Sequence, residues 1–503
     1  MRIKMSVTAK PVSIKALHQT LDEAQVNKKH WLTVFTAGMG FFTDAYDLFI
    51  IGTVTVLLTP IFHLGANQIS LLNSISLLAS VAGALTFGRL MDKLGRKRMY
   101  GVEVAILVLG AILCAFAWNF TSLLIFRVLV GYGVGGDYAT SAVITSEYAT
   151  RKSRGKLVGT VFAMQGLGLL AGPLMASIFL ASGLSHDLSW RLMLGLGAVP
   201  AASVIYLRRK IRETPRFSLN VQGDTTFTQE TVEWVTGSVE EVSNISEFPA
   251  TAERTEINIE SGPSRTEKVR VGIKSKLTDA PFLKRLIGTA GCWFLMDIAF
   301  YGNSVSSPLI LKKLQPNGSL LSHTLISLAI FALAAFPGYW LAVRMLDRKG
   351  RKFIQAQGFI VMAVAFGMIW LIPGASSNVA VFLGLFAISY FFIEYGPNMT
   401  TFVYPSEIFP TSVRGMGDGI SAGAGKFGAF LGALFVPHLL GSIGLNGVMG
   451  IMAVVSVLGA LLTYIALPEP MGQSLEEASA EQFCDEDGTL YGQEDVEPVA
   501  QAV

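Results

Sequence analysis

Long apolar stretches separated by short polar, basic turns run along most of this chain. A bilayer core takes roughly 20 apolar residues per helix, and that length predicts spans at 31–58, 70–91, 99–118, 121–146, 156–182 and 189–208. After a polar interval come 284–311, 321–346, 353–373, 377–404, 415–440 and 443–466. The prediction is an all-α integral membrane protein of twelve helices, in two groups of six. The first, fourth, seventh and tenth spans are long enough to tilt or kink.

The polar remainder divides the chain into an N-terminal segment 1–30, a six-helix bundle 31–208, a linker 209–283, a second bundle 284–466 and an acidic tail 467–503. Lys93, Arg96, Lys97 and Arg98 follow the second span, and Arg151, Lys152, Arg154 and Lys156 follow the fourth. Arg208, Arg209, Lys210 and Arg212 follow the sixth, and Arg348, Lys349, Arg351 and Lys352 the eighth. The alternate loops carry almost no Lys or Arg apart from Lys312 and Lys313, so both termini are expected to be cytoplasmic. The stretch from Asp224 to Glu267 reads as a flexible cytoplasmic linker, and the tail after Pro468, with Glu481, Asp485, Glu486 and Asp487, as disordered.

Composition agrees with a membrane chain: 51% of the 503 residues are hydrophobic and only 15% charged, against about a quarter in soluble domains. A net charge of +3 argues against nucleic acid as a partner. Cys114, Cys292 and Cys484 have no CxxC spacing, which argues against a disulfide scaffold or structural zinc. No metal or cofactor constellation and no nucleophile–base pair is visible, so an enzyme is not expected. The first thirty residues hold no apolar core of the signal-peptide kind, and insertion is expected to start with the first span.

The two groups of six repeat one another. Met91-Asp92-Lys93-Leu94-Gly95-Arg96-Lys97 recurs 255 residues later as Leu346-Asp347-Arg348-Lys349-Gly350-Arg351-Lys352. Ser146-Glu147 with Arg154-Gly155 recurs 260 residues later as Ser406-Glu407 with Arg414-Gly415. Such duplication is how many transporters place a site at the midplane between two rocking halves. Asp92, Arg96, Glu147 and Arg154, with Asp347, Arg351, Glu407 and Arg414, are the candidate gating residues, since a carboxylate beside a basic turn suits the positive end of a neighbouring helix.

Ionisable groups inside spans are functional candidates by default. Asp44 and Asp47 lie three residues apart in span one, Arg127 and Asp137 in span four, Asp297 in span seven, Glu394 in span ten and Lys426 in span eleven. Trp293, Asp297 and Tyr301 share one helix face. The repeat pairs Tyr138 with Asn398, Gln165 with Lys426 and Asp44 with Asp297 across the halves. Glu103 is either a structural partner or a water-facing group. A cavity of several carboxylates and one lysine suits a cation, a sugar or a protonatable anion.

Gly88-Arg89-Leu90-Met91-Asp92-Lys93-Leu94-Gly95-Arg96-Lys97-Arg98 resembles the loop signature of the major facilitator superfamily. Arg127 with Gly131 and Gly135 resembles its fourth-helix motif, and Arg212-Glu213-Thr214-Pro215-Arg216-Phe217 is similar to the segment after helix six in sugar porters. Within that superfamily, Gly40-Phe41-Phe42-Thr43-Asp44-Ala45-Tyr46-Asp47, Gly135-Gly136-Asp137-Tyr138, the Trp293–Tyr301 face, Gly396-Pro397-Asn398 and Gly419–Lys426 resemble the phosphate:proton symporters. That resemblance implies a monomeric, proton-coupled importer of inorganic phosphate in the plasma membrane. It implies phosphate binding by Tyr138, Gln165, Trp293, Asp297, Tyr301, Asn398 and Lys426, and proton passage by Asp44, Asp47 and Asp137. Ala139-Thr140 stands where the family usually has Pro-Leu, and Glu394 where a small neutral residue is expected. These departures leave an organic-anion or sugar symporter, and a non-transporting nutrient receptor, as alternatives.

Overall fold

The computed structural model describes residues 14–236, 280–305, 307–481, 483–484 and 490–491. Twelve long helices dominate it. The first six are α1 (Lys28–Phe62), α2 (Ala66–Leu94), α3 (Arg96–Ala115), α4 (Phe120–Tyr148), α5 (Arg154–Ala181) and α6 (His186–Lys210). The second six are α7 (Ala280–Val305), α8 (Leu320–Lys349), α9 (Arg351–Leu371), α10 (Val379–Ile408), α11 (Arg414–Ser442) and α12 (Gly444–Ala466). Eleven are long and apolar enough to cross a bilayer. The remaining helix, α7, is made more polar by Asp297, Tyr301 and Asn303 in its second half.

Local chemistry sets the helix ends. Asn27, Asn119 and Asn378 accept backbone N–H groups at the first turns of α1, α4 and α10. Gly95 and Gly350, at φ of 99° and 84°, make the sharp corners between α2 and α3 and between α8 and α9. Any residue with a Cβ is strained at those angles, which accounts for glycine in both copies of the repeated loop. In α10, Gly396 leaves helical φ/ψ beside Pro397, and the helix widens over Glu394–Asn398.

In the first half α1 packs on α5 and α2 on α4; in the second, α7 packs on α11 and α9 on α12. The halves meet along α2 with α11 and along α5 with α8, contacts that the repeat interchanges. The first of these seams is backbone against backbone: a Cβ added at Gly88 would come 2.4 Å from the Gly415 carbonyl oxygen and 2.9 Å from the Gly419 Cα. Small residues permit this approach.

Two expectations need correcting. The stretch beginning at Asp224 is not simply a flexible tether, because Thr225–Thr236 forms a helix. Val232 and Val235 are buried, Val232 among Leu17, Leu21 and Leu219. The tail likewise continues as ordered chain from Pro468 to Glu481, including the helix Leu475–Ser479, because its carboxylates find buried partners at the basic end. Residues 237–267 and Asp485–Asp487 lie outside the described residues.

Candidate functional site

Lys426, on α11, is fully enclosed where Tyr138 of the first half meets Tyr301 of the second. Its ammonium lies 3.5 Å from Asp297 Oδ2, 3.0 Å from the Tyr301 hydroxyl, and 3.8 Å from the centroid of the Tyr138 ring. A lysine taken out of water is held by an opposite charge and by aromatic faces, and here it has both. The polar chain continues across the boundary between the halves. The Tyr138 and Tyr301 hydroxyls are 3.3 Å apart, and Gln165 Nε2 donates to Tyr138 at 2.9 Å. Tyr339 then donates to Gln165 Oε1 at 2.7 Å, and Asn398 Nδ2 donates to Tyr339 at 3.0 Å and also to Glu394 Oε2. Trp293 packs beside Tyr138, with ring centroids 6.0 Å apart.

All seven substrate-site candidates therefore belong to one cluster. Phe41, Phe162 and Phe402 enclose it on one side, and Phe49, Phe300 and Phe331 on the other. Tyr339 joins the two ends of the chain. It escaped the sequence reading because a tyrosine in a span carries no charge, and the repeat gives it no obvious polar partner.

The three aspartates expected to share proton passage sit in different surroundings. Asp44 is completely buried, and neither carboxylate oxygen has a hydrogen-bond partner. Asp47, although on the same face of α1, is bound to Arg127 at 2.6 Å. Asp137 is bound to Arg208 at 3.0 Å and receives the Ser141 hydroxyl at 2.7 Å. Arg208 also reaches Glu103 at 2.9 Å, making Glu103 a structural partner rather than a water-facing group. Arg208 is only 2% exposed. In the sequence it belongs to the basic run flanking α6, which hides its inward position.

At the basic end the repeated motifs close on each other with near-exact two-fold symmetry. Glu147 receives Arg96 at 3.1 Å from its own half and Arg414 at 3.0 Å from the other. Glu407 receives Arg351 at 2.8 Å and Arg154 at 3.0 Å. Asp92 accepts the Gly415 and Met416 N–H groups at 3.0 and 2.7 Å, and Asp347 accepts those of Gly155 and Lys156 at the same two distances. Each loop carboxylate thus caps the first turn of a helix in the opposite half. Glu213 accepts from the Arg96 N–H at 3.0 Å, and Glu469 from the Arg351 N–H at 3.0 Å. Glu469 follows Glu213 by 256 residues, so the same repeat could have identified it.

A further buried group ties the N-terminal helix Ile14–Glu23 to the linker and tail. Arg216 holds Asp22 at 2.6 Å and Glu476 at 2.9 Å, and His18 meets Asn220 at 3.1 Å. Burial pushes the Asp22 carboxyl up to about 6, with Arg216 opposing. Burial pushes Glu476 the same way, but Arg216 and His18 together outweigh it and hold that carboxyl well below its ordinary range.

Comparison with known proteins follows the same lines. The family described as "Sugar (and other) transporter" matches residues 32–481. A low affinity inorganic phosphate transporter of Medicago truncatula is 35% identical over 540 residues, covering 92% of this chain and 93% of its own length. A low affinity inorganic phosphate transporter of Petunia hybrida is 36% identical over 554 residues, covering 96% and 98%. Among solved structures, a proton:xylose symporter bound to 6-bromo-6-deoxy-D-glucose superposes with a TM-score of 0.76 at 18% identity, covering 90% of this chain and 98% of that one. A Lys426-centred polar cluster between two repeated six-helix halves, with the family match across nearly all of the membrane part, leads to one conclusion: the chain belongs to the sugar (and other) transporter family of the major facilitator superfamily.

Proposed function

We propose that this transporter is a proton-coupled symporter that imports inorganic phosphate by alternating access. The observation that carries the reading is the buried Lys426 ammonium, set against the Tyr301 hydroxyl and the Tyr138 ring, with Trp293 beside Tyr138 and the amides of Gln165 and Asn398 further along the same polar chain. That set supplies one positive charge and several donors to an oxyanion. Asp297 Oδ1 is buried without a partner and suits a P–OH donor. Sulfate, deprotonated near neutral pH, offers that oxygen only repulsion. The naming of relatives as inorganic phosphate transporters supports the same substrate.

In this reading the basic end faces the cytoplasm of a cell whose plasma membrane holds the protein as a monomer, with both termini inside. The repeated ion pairs keep the cytoplasmic side shut while phosphate enters from the outer side, and part when the halves rock to release it. Asp44, which lacks a cation at bonding distance, takes up the coupled proton. The fixed pairs Asp47–Arg127 and Asp137–Arg208 shape the route beside it. Proteoliposomes loaded with purified protein test this: a proton gradient, inside alkaline, should drive phosphate uptake that sulfate and hexoses do not inhibit. Asp297→Asn should abolish that uptake. Gradient-independent behaviour, or full activity in Asp297→Asn, rules the reading out.

A further inference from the structure

Glu394 is the residue at the site whose presence phosphate recognition does not explain. It is completely buried, on the widened turn of α10. One oxygen accepts from Asn398 Nδ2, while Oε1 has no partner, and among the described residues no lysine, arginine or histidine stands within ion-pair distance. The groups facing it are Tyr339 from α8, Asp297 from α7 and Tyr390 from its own helix. The backbone of α8 at Gly338 lies against its Cβ. Helix α9 packs behind the turn at Gly358, and its only ionisable residues, Arg351 and Lys352, lie at its far basic end. Lys426 is spoken for by Asp297 and Tyr301.

Arg127 is matched by Asp47, while Arg208 serves two carboxylates, Asp137 and Glu103, and has no charge to spare for Asp44. Around the polar chain this leaves Lys426 as one cation against Asp44, Asp297 and Glu394. An anion entering three charged carboxylates and one ammonium is repelled in a low-dielectric interior. Protons on the two carboxylates without a cation remove that repulsion, one from each half of the molecule.

We propose that Glu394 is a second proton-binding group of the substrate site, loaded from the outer side together with phosphate and emptied to the cytoplasm with it. The proposal rests on phosphate as the substrate for its stoichiometry, and on geometry alone for proton binding. The Glu394 oxygen takes one proton from external water, and returns the same proton to internal water after the halves rock.

Two measurements on wild-type and Glu394→Gln protein test it. Protons and radiolabelled phosphate counted together in proteoliposomes should give a proton-to-phosphate ratio lower by one in the variant, with a flatter dependence of KM on pH. Infrared difference spectra of the purified protein across a pH titration should show a carboxylic C=O band that Glu394→Gln lacks. An unchanged ratio and pH profile, even with slower uptake, overturns the proposal and leaves Glu394 as a bracket for Asn398. If wild-type protein carries no phosphate, the substrate reading fails and the infrared band alone decides Glu394. Should Glu394→Gln unfold, Glu394→Asn is read in both assays by the same criteria.

Discussion

Glu147 on α4 and Arg414 on α11 meet at 3.0 Å across the boundary between the two halves, and both side chains are sealed from solvent. Breaking a buried pair from one side leaves an uncompensated charge and costs about 3–5 kcal/mol. Glu147→Gln should therefore shift the molecule strongly toward a state open at the basic end. Glu407→Gln, its counterpart in the repeat, should do the same to a similar degree. Spin-label distances between the ends of α4 and α10 should lengthen in both variants, and uptake should fall at least tenfold. Unchanged distances in either variant would show that the pair does not hold the closure.

Lys426→Gln removes the charge that balances Asp297 and the cation over the Tyr138 ring. Charge-assisted hydrogen bonds contribute about 1.5–3 kcal/mol each, so phosphate binding should weaken by roughly tenfold to a hundredfold. The rise in unfolding temperature on adding phosphate to detergent-solubilised protein measures this directly. A variant stabilised by phosphate as well as wild type is would place the anion elsewhere.

Tyr339→Phe cuts the link between Gln165 and Asn398 without altering the ring. A neutral hydrogen bond is worth about 0.5–1.5 kcal/mol, which predicts a KM for phosphate raised about two- to tenfold. The maximal rate should change little. A change in rate with no change in KM would instead tie Tyr339 to the rocking of the halves.

The Asp22–Arg216–Glu476 group predicts a pH effect outside the membrane. Asp22 has a folded value near 6, above its ordinary 3.8. Its contribution to docking of the N-terminal helix is thus fully present below the ordinary value and is lost as pH rises through about 6. From about pH 5 to about 7.5 the docking should weaken roughly tenfold on this account. Limited proteolysis of the Ile14–Glu23 helix should be correspondingly faster at the higher pH, and Asp22→Asn should flatten the difference. The comparison isolates Asp22 from His18, which burial pushes in the opposite direction. Equal pH dependence in wild type and Asp22→Asn would refute the assignment.

The twelve helices and their two-fold arrangement were legible because membrane insertion demands long apolar runs, and because a repeated Asp-x-x-Gly-Arg-Lys loop leaves an obvious trace. The charged members of the candidate site, Asp297 and Lys426, were legible for a related reason, since charge in an apolar span stands out, whereas Tyr138, Gln165, Trp293, Tyr301 and Asn398 were reached through the family resemblance. What stayed hidden were relationships between charges. Arg208 reads as one more loop cation, yet it turns inward to Asp137 and Glu103. Asp44 and Asp47 look equivalent by spacing, but only Asp47 has an arginine opposite. The acidic tail and linker read as solvated because nothing in their composition reveals that Arg216, Arg414 and Thr411 wait at the basic end.

The glycine seam between α2 and α11 bears on how the halves move. Where Gly88 rests on Gly415 and Gly419 the two backbones touch directly, with the Met91 and Asp92 side chains reaching Gly415 at the edge of the contact. That seam fixes how closely the two helices lie, while the hold on the closed basic end falls to the charged clasps there and to the side chains packed along α5 and α8. A larger residue at Gly88 would prise the first seam apart without touching a single charge.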